Sequence, residues 1–99
     1  MKREKWANVL RRLWETKKEN EKPCPECVAS IAMGFFFKVC KESLSDKLDC
    51  KDLSLQYLRG EITEAQVSEK IRDVAKSDPE LMEDLDEIER IRKTRKIEP

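Results

Sequence analysis

The stretch between Cys27 and Cys40 constrains this chain more than any other feature. Val28 to Val39 is the most apolar segment, interrupted only by Ser30, Gly34 and Lys38, and it holds no proline. Phe35, Phe36 and Phe37 are consecutive, so on a helix they point in different directions. A helix apolar on every side belongs at the centre of a bundle or in a subunit interface. Pro25 suits the first helical position, where its missing N–H has no partner anyway. The pattern therefore predicts one helix from Pro25 to about Lys41, although Gly34 costs roughly 1 kcal/mol relative to alanine inside it. On such a rod Cys27 and Cys40 stand about 20 Å apart at 1.5 Å per residue. Cys24 and Cys27 then sit at one end, Cys40 and Cys50 near the other.

The rest of the chain also reads as helix. Trp6, Val9, Leu10, Leu13 and Trp14 follow the spacing of one helical face, and Asn20 to Pro23 breaks the pattern. Ser43 to Asp49 is a polar connection. Leu53, Tyr57 and Leu58 fit a short helix ended by Gly60, where the backbone often turns left-handed. Thr63-Glu64-Ala65-Gln66 is a capping box, and Ile62 before it can staple onto Val67. Val67, Ile71, Val74 and Ala75 form the buried stripe of that helix. Ser77-Asp78-Pro79-Glu80 opens the last one, with Leu81, Leu85 and Ile88 on one side and Met82 and Ile91 beside them. The fold class expected is all-α, a compact bundle of four to five short helices in a single domain over residues 1–99.

Four cysteines in a chain without histidine complete either two disulfides or one tetrahedral metal site. With the helix unbroken, a single four-thiolate site at Cys24, Cys27, Cys40 and Cys50 is out of reach, because zinc–sulfur bonds are only about 2.3 Å long. A Cys40–Cys50 disulfide would instead staple a helical hairpin, worth about 2–3 kcal/mol in the chain-entropy account. Cys24 and Cys27 would form a second disulfide or a thiol pair. Thiols at a helix N-terminus have a stabilised thiolate, so their pKa is expected below about 8.5, and a thiol–disulfide role through this pair is a third reading. The turn Cys24-Pro25-Glu26-Cys27 resembles those that present two thiolates to zinc in zinc ribbons and rubredoxin-type knuckles. That resemblance covers these four residues alone, and it implies zinc, or by extension an iron–sulfur cluster, as the alternative to structural cysteines.

The formal charge is zero, from 21 basic and 21 acidic residues, so overall balance selects no polyanionic or polycationic partner. Charge is nevertheless dense, at 42% of residues, and Asn8, Asn20, Gln56 and Gln66 are the only side-chain amides. Many Lys, Arg and Glu with few amides is the trend of hyperthermophile proteins, whose cytosol tolerates disulfides. The first residues lack the basic stub, apolar run and cleavage site of a secretory signal, and no apolar run is long enough to span a bilayer. A cytoplasmic location is expected.

Residues 1 to 18 hold seven basic and two acidic side chains, an amphipathic helix able to dock on nucleic acid or another anionic surface. The simpler reading makes Trp6, Leu10, Leu13 and Trp14 core and the charges a solvated back. Asp52 to Asp73 resembles a helix-turn-helix, with Gly60 in the turn. Its second helix carries Glu64, Glu69 and Asp73 against Lys70 and Arg72, a poor face for a phosphate-lined groove, so the segment is assigned to packing. Residues 78 to 89 contain seven acidic groups and no basic one, an order that suits the helix dipole. Asp86–Arg90 and Glu89–Lys93 fall at i, i+4. With no histidine and no glycine-rich phosphate loop, the expectation is a thermostable, non-enzymatic binding or regulatory protein. Trp6, Trp14, Phe35, Phe36 and Phe37 offer more apolar surface than a short bundle hides, so a homodimer or a protein partner is expected through them.

Overall fold

A computed structural model describes residues 5–22 and 24–97. Among them lie five α-helices and no strand: α1 (Trp6–Glu15), α2 (Pro25–Ser43), α3 (Cys50–Leu58), α4 (Glu64–Val74) and α5 (Pro79–Thr94), with 3-10 turns at Glu19–Glu21 and Ala75–Ser77. The starts follow local chemistry. Cys24 caps α2 with its sulfur and Pro25 opens it. Asp49 caps α3 by accepting from the Asp52 N–H, so that helix begins at Cys50, earlier than the apolar residues suggest. Thr63 and Gln66 close the capping box reciprocally at 2.8 and 3.1 Å. Asp78 caps α5. Gly60 ends the α3 connection at φ 76°, a conformation that costs other residues a Cβ clash. Gly34 stays helical and exposed, and α2 runs through it without a break.

α2 and α5 form the spine. α2 packs against α3, α4 and α5, and α5 also receives α1 and α4. Their shared core holds Met33, Phe36, Val39, Leu85 and Ile88, with Val67 and Ile71 from α4. The molecule measures 39 × 38 × 18 Å. Its thin dimension fits two helix layers, since packed helices lie about 8–10 Å apart.

α1 departs from its expected inner face. Ala7 and Leu10 are buried, whereas Leu13 is 54% exposed. The rotation follows from a polar anchor: both oxygens of Asp84, on α5, accept from the first turn of α1, Trp6 N–H at 2.8 Å and Ala7 N–H at 2.9 Å. Lys5 at the N-cap position supplies no side-chain cap, so a residue 78 positions away takes that role. Arg11 faces Glu87 at 3.7 Å and Lys5 bonds Glu83. The basic first helix and the acidic run of α5 thus complement one another.

Two members of that acidic run are buried. Asp84 and Glu89 are 4% and 5% exposed. Glu89 binds Arg92 and, at 3.4 Å, Arg72, while Asp86 also meets Arg72 at 3.5 Å. The expected partners were Lys93 and Arg90. The observed ones are better placed because α4 lies against this side of α5. Arg72 further donates to the buried Ser68 hydroxyl at 3.1 Å. Burial pushes the Glu89 carboxyl up, but hydrogen bonds from Arg92 and Ser68 and the charges of Arg92 and Arg72 outweigh it and hold the group below its ordinary range.

Candidate functional site

The unbroken α2 divides the cysteines as its length requires. Cys40, fully buried at the end of α2, is bonded to Cys50 at the first position of α3, with a Cα–Cα distance of 6.0 Å. Cys24 and Cys27 are free and exposed at the other end. Two sulfurs are therefore consumed in one bond and two stand a helix length away, an arrangement that does not fit one four-thiolate zinc or iron–sulfur centre. Nor do the described residues form a group of three or more Cys, Asp or Glu side chains able to hold a metal ion.

At the free pair, Cys24 Sγ accepts the Cys27 N–H at 3.3 Å. The Cys27 thiol is held above its ordinary value, first by its hydrogen bond to Cys24 and then by desolvation and nearby charge. The expected lowering is reversed at Cys27, because its partner is a second sulfur that favours the protonated form. Beside the pair lies a cleft of about 330 Å³ where the turn after α1, the start of α2 and the end of α5 meet, lined by Trp14, Glu19, Lys22, Arg95 and Lys96 among others. Lys22 sits 5.6 Å from the Trp14 ring and 3.5 Å from Glu19.

The aromatic residues expected at an interface are largely covered within one chain. Phe36 has no exposed surface, which corrects its assignment: it faces the core shared by α2, α4 and α5 rather than a partner. Phe35 meets Trp6 edge-on at 5.9 Å, and Lys38 lies 5.6 Å from the same indole. Phe37 packs on Tyr57 at 5.8 Å. These contacts absorb the apolar surplus from which a dimer was expected.

The exposed apolar surface lies elsewhere. Leu58 and Leu55, on α3, are 75% and 38% exposed. Lys51, Ser54, Leu55 and Leu58 share one face of that helix by their i, i+3, i+4, i+7 spacing. Lys51 and Ser54 also line an open groove of about 860 Å³ beside the disulfide, floored by Phe37, Leu48 and Cys50. Its polar rim carries both signs, Lys41, Lys47 and Lys51 with Asp46 and Asp49. The sequence reading placed Leu58 on a short helix and assigned it no exposed face. The signal available was the shortness of α3, which at nine residues packs mainly on α2 and α4 and leaves Leu55 and Leu58 exposed.

None of the helices described is long and apolar enough to cross a membrane. No family model, no curated protein and no solved structure matches the chain.

Proposed function

We propose that the chain is a non-enzymatic, thermostable binding module that pairs with a second copy of itself through the outer face of α3. The observation that carries this reading is the continuity of exposed Leu55 and Leu58 with the groove above Phe37 and Leu48. A groove and an apolar knob on one face are self-complementary: a two-fold axis sets Leu58 of each protomer towards the groove of the other. The mixed rim supports the same partner, since lysines and aspartates that alternate on one surface meet opposite charges when that surface is apposed to its copy. A stable contact needs roughly 800 Å² from each side, which a face of a disc 39 × 38 Å across can supply. The Cys40–Cys50 bond fixes the α2–α3 corner that shapes the groove, and so serves the binding face rather than chemistry of its own.

Static light scattering over a concentration series tests this. The wild-type chain is expected at twice its 11.7 kDa mass, and Leu58→Glu at the monomer mass with unchanged helix content. A monomeric wild type throughout, or a Leu58→Glu variant that still dimerises, overturns it.

A further inference from the structure

The α3 face leaves unused the free, exposed Cys24 and Cys27 thiols at the opposite end of α2. We propose that Cys24 and Cys27 form a thiol–disulfide exchange site for a low-molecular-weight anionic disulfide, received in the neighbouring basic cleft. The geometry assigns separate roles to the two sulfurs. Cys24 Sγ lies at the N-cap of a nineteen-residue helix, exposed and outside its turns, and accepts a backbone N–H there. Cys27 stands one turn further along, inside the helix, its thiol held above its ordinary value by the hydrogen bond to Cys24 and by desolvation. Cys24 is therefore the attacking sulfur and Cys27 the resolving one. Residues three apart on a helix are close neighbours, near enough for a disulfide with only local adjustment.

The step balances without a further reagent. The Cys24 thiolate attacks one sulfur of the disulfide; a Cys24–S bond forms, and the other half leaves as a thiolate that takes a proton from water. Cys27 then gives its proton to solvent and attacks Cys24 Sγ, which releases the second half as a thiol. The protein pair is oxidised by two electrons to a disulfide, and the ligand is reduced to two thiols.

The cleft supports the ligand class. Pro25 and Val28, each next to a cysteine in the chain, line it together with Lys22, Arg95 and Lys96, and among the described lining residues Glu19 alone is acidic. Its volume of about 330 Å³ suits a small molecule rather than a protein segment. The excess of positive charge selects carboxylate-bearing disulfides, and the Trp14 ring provides an apolar wall. Cys40 is fully buried and Cys50 partly so, and peptide mapping distinguishes the Cys40–Cys50 bond from one formed between Cys24 and Cys27.

The experiment uses the full chain and two probes, anionic glutathione disulfide and uncharged hydroxyethyl disulfide, with products read by alkylation and peptide mass spectrometry. The wild type is expected to form a Cys24–Cys27 bond with both probes. Cys27→Ser should accumulate a mixed disulfide on Cys24, and Cys24→Ser should form no second protein disulfide. The double variant Arg95→Glu, Lys96→Glu should slow glutathione disulfide by roughly tenfold, a typical steering effect, and leave hydroxyethyl disulfide unchanged. The proposal is overturned if the mixed disulfide forms on Cys27, if the pair reacts no faster than free cysteine, or if the double variant slows both probes equally. Leu58→Glu, which probes the α3 face, leaves every one of these readouts unchanged, so the two proposals fail separately.

Discussion

Replacing Asp84 by alanine should release the first helix. The carboxylate holds two backbone donors of α1, at 2.8 and 2.9 Å, and is 4% exposed. Ala7 is fully buried, so its N–H would be left without an acceptor, a loss of about 1–3 kcal/mol. The Trp6 N–H is partly covered and should add roughly 0.5–1.5 kcal/mol. The charge at the helix start contributes to the same bonds and is not counted again. The expected total is about 2–4 kcal/mol, or a fall in Tm of about 10–30 °C for a domain of this size. Asp84→Asn, which keeps one acceptor oxygen and no charge, should fall between the two. Both tryptophans of the chain lie on α1, so their emission reports this helix and far-UV circular dichroism reports the whole. In Asp84→Ala, tryptophan emission should shift to the red at a lower temperature than the helix signal is lost. A variant within about 0.5 kcal/mol of wild type, with unaltered emission, would refute the reasoning.

Gly34→Ala should stabilise the protein by up to about 1 kcal/mol, because a Cβ there meets nothing within 4 Å; Gly60→Ala, at φ 76°, should cost about 1–2 kcal/mol. Both are read by chemical denaturation. Opening the Cys40–Cys50 bond by a Cys50→Ser substitution should cost about 2–3 kcal/mol for a loop of this length, measured as a lowered denaturation midpoint. Glu89 is held below its ordinary 4.5, so its stabilising contribution is complete above that pH and is lost as pH falls through the depressed value. Acid titrations of stability should therefore show a shallower low-pH limb in Glu89→Gln than in wild type.

Helix starts were legible because each rests on neighbours in sequence: Pro25 after Cys24, Thr63 with Gln66, Asp78 before Pro79. The end of α2 was placed at Lys41 and lies at Ser43, because Leu44 is buried and carries the helix on. The polar connection was read to end at Asp49, which is where α3 is capped, although the capping role of that aspartate, as local a signal as Thr63, was not drawn. The acidic run holding Asp84 and Glu89 was read as stabilisation of its own helix, since nothing in such a run tells which carboxylates face another helix. Their partners, Trp6 and Ala7 for one and Arg72 for the other, lie beyond the reach of helical spacing. For the cysteines, an unbroken α2 was sufficient to separate the two pairs. The aromatic residues were harder: consecutive phenylalanines say that several directions are apolar, but which neighbour covers each depends on how α1 and α3 pack.

The bond between Asp84 and the first turn of α1 also orders events in time. The ribosome releases Trp6 and Ala7 early, yet their acceptor is made 77 residues after Ala7, a delay of roughly 4–15 s at ordinary elongation rates. Throughout that interval the tryptophan-bearing helix lacks its polar anchor, and an isolated helix of this length is marginal in water. α1 is thus translated well before its acceptor on α5, and its apolar face completes its packing only when α5 arrives.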